Sequence, residues 1–142
     1  MMTRETDANS KAVFDKVTSD DTFARLIGME LVEVEPGLAR SRLSVSDQKV
    51  NMYRMAHGGA IFSVADQACE AAGNSFGEPA VALQHTIHFL SPGNPGDVLE
   101  AAARVTQRSN RIGLIEFQVK NQDEALLATG QQLIYFKKGP DG

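Results

Sequence analysis

The chain has 142 residues, 42% hydrophobic and 23% charged, with a formal net charge of −4; this suits one soluble globular domain and excludes a disordered or low-complexity chain. Lysine and arginine are scattered and no run approaches the roughly 20 apolar residues of a membrane span, so neither nucleic acid nor membrane is an expected partner. Cys69 is the only cysteine, which excludes an intrachain disulfide and a cysteine-rich metal site; with an N-terminus that lacks the apolar core of a signal peptide, it points to the cytoplasm.

Residues 1–9 are polar and are expected to fray. Val13, Phe14 and Val17, then Phe23, Leu26 and Ile27, recur at helical spacing until Gly28 supplies a stop. Residues 1–28 therefore read as a helical N-terminal extension and residues 29–142 as a single domain. The segment MELVEVEPGLARSRLSVS alternates polar and apolar residues on either side of Pro36-Gly37, the pattern of a hairpin. From Gly58 to about Gly73 the chain lacks proline and is apolar on nearly all sides, as a buried helix should be. Four strand-like segments follow, at 80–90, 97–107, 112–122 and 125–138, separated by the turn-rich SPGNPG, RSN and NQDE. They read as a meander of about four strands. The class is α+β, and one antiparallel sheet wrapped around one helix satisfies the order.

The helix carries the chemistry-bearing residues. Helix N-termini present unpaired N–H groups and partial positive charge, and glycines there let a ligand oxygen come close. No Ser, Thr, Asp or Asn precedes Gly58 and Gly59 as a capping side chain, so an amide is available to polarise a carbonyl. The alternative is that the two glycines only permit a tight turn. Asp66 is flanked by Val64, Ala65, Ala68 and Cys69, where an unpaired carboxylate costs several kcal/mol; it needs a purpose or a partner. Glu70 lies one turn later on the same face, where it either raises the pKa of its neighbour or caps a solvated or interface edge. Eight residues separate Gly58 from Asp66, about 12 Å along a helix axis. One reacting carbonyl cannot meet both from one helix, so joint action demands an antiparallel copy and a two-fold dimer with shared sites.

HGGAIFSVAD, preceded by Asn51 and followed by CEAAGN and FLSPGNPGD, resembles the PaaI-type acyl-CoA thioesterases of the hotdog superfamily, a family associated with phenylacetate degradation. The similarity runs from about Val50 to Phe136, and its motifs occur together in family order. It implies a hotdog fold with a long central helix wrapped by an antiparallel sheet. It implies an acyl-CoA substrate with an aryl or medium-chain acyl group and no cofactor, and a homodimer joined sheet edge to sheet edge, often paired into a dimer of dimers. Carried over residue by residue, Asp66 resembles the catalytic carboxylate, acting as nucleophile or general base, and the amide of Gly58 or Gly59 the donor to the thioester oxygen. His57 and Asn51 resemble site-shaping residues, Asn51 coming from the subunit opposite Asp66.

The remaining candidates each carry two readings. His85 and His88 lie three apart on a strand and face opposite ways, which disfavours a shared metal site; with Gln84 they fall on the strand where relatives set acyl specificity, although histidines depart from the commonest pattern there. Arg108, Asn110 and Arg111 in TQRSNRIG either meet coenzyme A phosphates or decorate a solvated hairpin tip. Asn74, Ser75 and Phe76 either line the acyl pocket with Glu70 or stop the helix after Gly73. Cys69 reads as a buried small hydrophobe. Competing functions are a hotdog hydratase, whose His-and-acid spacing HGGAIFSVAD does not match, and a non-catalytic acyl-CoA binding or sensing protein.

Overall fold

Small residues at the middle of the chain set the architecture. In the computed structural model, which describes residues 4–137, helix α3 spans Gly58–Asn74. Its Val64, Ala65, Ala68, Cys69, Ala71 and Ala72 are fully buried. They lie in one core with Leu43, Leu99, Ile115, Val119, Ile134 and Phe136. Alanines on this face let the helix nest close to a sheet that supplies the large side chains, so volume is filled from one side.

The sheet has six antiparallel strands: β1 (Glu30–Glu35), β2 (Leu38–Ser44), β3 (Ala80–Phe89), β4 (Val98–Arg108), β5 (Ile112–Lys120) and β6 (Leu126–Phe136). The β1–β2 hairpin turns at Pro36-Gly37 as its sequence requires, with Gly37 at φ +72°. The Ser75 hydroxyl accepts the Gly37 N–H at 2.7 Å and donates to the Ala72 carbonyl at 2.7 Å, which ties this turn to the end of α3. The Ser41 hydroxyl donates to Gln67 Oε1 and pins the middle of the helix to β2.

Strand order is β1-β2-β4-β5-β6-β3, which corrects the expectation of a four-strand meander. Only β4, β5 and β6 meander; β3 pairs with β6, from Ala80 opposite Phe136 to Phe89 opposite Ala128. The chain therefore crosses from one edge of the sheet to its middle between β3 and β4, leaving β3 as an edge strand. Its Val81, Leu83 and Phe89 are 43%, 55% and 53% exposed, an apolar edge of the kind sheets normally cover.

At the N-terminus, helix α1 (Arg4–Asp20) and helix α2 (Thr22–Ile27) replace the single helical stretch expected. Asp21 breaks it, accepting the Ala24 N–H at 3.0 Å as the cap of α2. Gly28 ends α2 in the left-handed conformation, φ +76°, as its position implied. The expectation of a frayed start is corrected for residues 4–9, which are helical; residues 1–3 lie outside the described residues. Ion pairs at i,i+4, Lys11 with Asp15 and Lys16 with Asp20, favour α1 modestly, and the helix packs on β1 and α3.

Candidate active site

The loop before α3 closes on itself when Val50 bridges Ala56. Asn51 organises it: its Oδ1 accepts the Tyr53 N–H at 2.9 Å and the Met55 N–H at 3.1 Å, an Asx-type turn. With Oδ1 committed to the loop, Nδ2 is the group this side chain has to offer a ligand.

At the helix start the structure corrects one expectation. His57 is the N-cap in extended conformation, and its Nδ1 accepts the Gly59 N–H at 2.8 Å. A neutral imidazole nitrogen acts here as the Ser or Asp oxygen of an ordinary cap does. Ala60 and Ile61 N–H both bond to the His57 carbonyl. The Gly59 amide is thus taken, and of the two glycines the Gly58 amide is the one left without a partner among the described residues. A Cβ at Gly58 would sit 3.4 Å from the Phe89 ring, so that ring backs the turn.

Asp66 lies two turns further along α3. Its side chain is 46% exposed, more open than its apolar flanks suggest. Gln132 Nε2 donates to its Oδ1 at 2.8 Å. Gln132, on β6, is 2% exposed and pairs across the ladder with His85 on β3; the same Nε2 lies 2.8 Å from His85 Nδ1. The His85 side chain is 7% exposed, with Phe62 and Phe117 ring centroids at 4.1 and 4.9 Å. Burial holds its pKa below the usual histidine value, opposed in part by the Asp66 charge. His85 Nε2 is buried with no hydrogen-bond partner among the described residues, an arrangement that costs about 1–3 kcal/mol for a polar group. Sequence reasoning missed Gln132. The available signal was parity: in LLATGQQLIYF, Gln132 shares its face with Ala128, Ile134 and Phe136, all buried, so it is the polar residue on the apolar side.

Beside Asp66 opens a cavity of about 820 Å³. Its floor is one face of α3, where Asp66, Cys69, Glu70, Gly73 and Asn74 follow the i, i+3, i+4 pattern; Val13 and Val17 of α1 wall one side and Ala82 of β3 with Ile134 of β6 another. A smaller cavity of about 390 Å³ reaches Asp66 and Glu70 from the side of Asp21, Phe23 and Phe62. Glu70 keeps a path to solvent, yet loss of water in the cleft, then the charges of Asp21 and Asp66, push its carboxyl up to about 7. Cys69 is fully buried, and burial followed by the Asp66 charge holds its thiol well above the ordinary range, which fits the small-hydrophobe reading.

The other candidates fall in three places. Asn74 knots the helix end to β3: its Nδ2 donates to the Glu70 and Ala80 carbonyls and its Oδ1 accepts the Ala80 N–H at 2.8 Å. Phe76 meets Phe136 edge-on at 6.3 Å, and the Arg108 guanidinium lies over both rings while pairing with Glu78 at 2.8 Å. Arg111 donates to the Tyr135 hydroxyl at 3.0 Å, and Asn110 is exposed between the two arginines. Gln84 and His88 are exposed on β3. Among the described residues no cluster of three or more His, Cys, Asp or Glu side chains is placed to hold a metal. No helix of the described chain is long and apolar enough to cross a membrane.

One antiparallel sheet around a central helix, with a half-exposed carboxylate and a ligand-sized cavity on that helix, defines a hotdog-fold protein with a small-molecule site. Residues 53–128 match the family model described as thioesterase superfamily. The chain is 34% identical over 120 residues to acyl-coenzyme A thioesterase PaaI of Escherichia coli, covering 84% of this chain and 83% of that relative. The solved structure of the E. coli PaaI protein of the phenylacetic acid degradation operon superposes with a TM-score of 0.89 at 30% identity, over 93% of this chain and 96% of that one. A Streptococcus mutans protein solved bound to acetyl-CoA superposes with a TM-score of 0.73 at 29% identity, over 77% of this chain and 88% of that one. The chain belongs to the thioesterase superfamily and is a PaaI-like thioester hydrolase.

Proposed function

We propose that this thioesterase hydrolyses acyl-CoA thioesters carrying aryl or medium-chain acyl groups, with Asp66 as the reacting carboxylate. One observation carries the reading: Asp66 has one oxygen held by Gln132 at 2.8 Å and borders a cavity of about 820 Å³, a volume typical of small-molecule sites. The apolar walls from Val13, Val17, Ala82 and Ile134 suit the acyl group. The name of the E. coli relative and the acetyl-CoA bound by the S. mutans relative support coenzyme A as the leaving thiol. Arg108, Asn110 and Arg111 are the groups proposed to meet its phosphates.

The Gly58 amide is proposed to hold the thioester oxygen. Gly58 and Asp66 are about 12 Å apart along α3, so the two act on one carbonyl only when a second copy contributes one of them. The exposed apolar β3 edge, with Phe62 of α3 38% exposed nearby, supports a homodimer formed there. In that arrangement Asn51, His57 and Gly58 of one subunit face Asp66 of the other. As general base, Asp66 takes a proton from water, the oxygen adds to the carbonyl carbon, the C–S bond breaks and the departing thiolate takes the proton back. As nucleophile, an Asp66 oxygen displaces the thiolate to give a mixed anhydride that water then hydrolyses.

The test is thiol release from aryl-acetyl, benzoyl and straight-chain acyl-CoAs by the native protein and by Asp66→Asn. Turnover that falls by roughly 10²–10⁴ in the variant is expected. Acyl-CoA binding without thiol release by the native protein, or full activity in Asp66→Asn, overturns the assignment.

A further inference from the structure

The mechanism above uses Asp66 and leaves its support unexplained. Gln132 is buried in β6 and has no apolar reason to be there: its neighbours on the same face are Ala128, Ile134 and Phe136. Its amide nitrogen has two protons, and the two atoms within reach are Asp66 Oδ1 and His85 Nδ1, both at 2.8 Å. Both must be acceptors. The reverse amide orientation would set Gln132 Oε1 against the Asp66 carboxylate, oxygen against oxygen, so the charge on Asp66 fixes which way the amide points. With Nδ1 accepting, the proton of neutral His85 resides on Nε2, the atom left without a partner between Phe62 and Phe117.

We infer that Gln132 is a positioning residue for Asp66 and that His85, rather than touching substrate, is the acceptor that satisfies the second N–H of that amide. The inference deepens the proposed function and rests on Asp66 being the reacting carboxylate. It gives each group one duty. His85 lines neither cavity; it is clamped between two rings and offers a lone pair. Gln132 spends one N–H on that lone pair and the other on Asp66 Oδ1, leaving Oδ2 outside this bridge. A doubly protonated His85 would face the amide donor with an N–H of its own, so the arrangement belongs to the neutral ring. Burial of the ring favours that same form.

Of the charged and titratable groups around Asp66, only His85 shares the Gln132 amide with it, which makes the arrangement testable by pH. His85 faces it from β3 at 3.9 Å. Glu70 and Cys69 lie on its own helix, Asp21 borders both cavities, and Lys16 and Asp20 of α1 with Glu78 border the larger one. The β6 contribution is the neutral Gln132, and β5 contributes the Phe117 ring.

Two variants and one spectrum test it. Gln132→Met fills the same space without donors and is expected to lower kcat at least tenfold while KM for an acyl-CoA stays within threefold. Gln132→Glu keeps the shape but donates to Asp66 only when its new carboxyl is protonated. Its kcat/KM relative to the native enzyme is therefore expected to fall at least tenfold between pH 5 and pH 8. A purely structural defect gives a ratio that does not change with pH, and that result, or native kcat in Gln132→Met, overturns the inference. Independently of activity, ¹⁵N NMR of the histidine rings is expected to show His85 with an unprotonated Nδ1 and a protonated Nε2 in the native protein. A protonated Nδ1 overturns the assignment even if every variant fails to fold. Asp66→Asn in the same series separates the two levels: if it retains activity the proposed function fails, whereas the NMR result still decides the Gln132 bridge.

Discussion

Replacing Gly130 by alanine puts the packing behind this site under direct strain. A Cβ at position 130 would lie 2.0 Å from the Thr86 carbonyl oxygen and 2.5 Å from Cζ of Phe117. Carbon and oxygen approach no closer than roughly 3.3 Å even in favourable contacts, so β3 must move off β6 by about 1.3 Å. Gly130 pairs with Ile87 of β3 on one side and Phe117 of β5 on the other, and a shift of that size breaks ladder bonds that tolerate only a few tenths of an ångström. Two lost bonds at about 1 kcal/mol each and overpacking of about 1–3 kcal/mol give a loss of about 3–5 kcal/mol. For a chain of this length that lowers Tm by roughly 10–17 °C. The assay is thermal unfolding by circular dichroism at one fixed protein concentration. Gly58→Ala serves as the comparison, because its Cβ meets the Phe89 ring at an ordinary 3.4 Å. Because the displaced Phe117 ring stacks on His85 at 4.9 Å, residual Gly130→Ala protein should also lose thioesterase activity. If Gly130→Ala unfolds within about 0.5 kcal/mol of the native protein, as neutral surface changes do, the close packing of β3, β5 and β6 at Gly130 is refuted.

Two further outcomes are expected. The Glu70 carboxyl is raised from 4.5 to about 7 in the folded protein, so the fold binds that proton more tightly than the unfolded chain does; the stabilisation is complete below pH 4.5 and is lost as pH rises through about 7. Glu70→Gln should therefore lose less Tm between pH 5 and pH 8 than the native protein, and parallel curves would contradict the cleft's effect on this carboxyl. If Arg108 meets coenzyme A phosphates, Arg108→Ala should raise KM for an acyl-CoA roughly tenfold, the worth of one charge-assisted hydrogen bond. The same acyl group on a truncated thiol lacking phosphates should keep its KM; an equal rise for both thiols would mean that Arg108 serves only its stack on Phe76 and Phe136.

Local chemistry made part of this molecule legible before any coordinates. Pro36-Gly37, Gly28 and the alanine-rich run from Gly58 declare a turn, a stop and a buried helix, because each depends on neighbours a few residues away. The place of β3 depended on pairing with β6, about 40 to 56 residues later, and alternation in AVALQHTIHFL is the same whichever neighbour the strand takes. The cap at α3 went unseen because the preferred capping oxygens are absent, whereas a histidine nitrogen fills the role through a ring rotation that spacing does not encode. At Asp66 the sequence revealed the carboxylate and its apolar flanks but not its exposure, which depends on the cavity left where α1 packs over α3 and the sheet. Gln132 and Gln131 look alike in the chain; only the pleat sends one to Asp66 and the other to solvent.

The cavity beside Asp66 takes one wall from a helix that is not part of the sheet. Val13, Lys16 and Val17 of α1 border it, while Asp66, His85 and Gln132 are held by α3, β3 and β6. Room for the ligand and the fixing of the carboxylate are thus written in different stretches of the chain. Substitutions on the inner face of α1 can resize the chamber without disturbing a single hydrogen bond to Asp66. On the proposed function, substitutions along α1 can exchange one acyl preference for another while the groups that hold Asp66 are inherited unchanged.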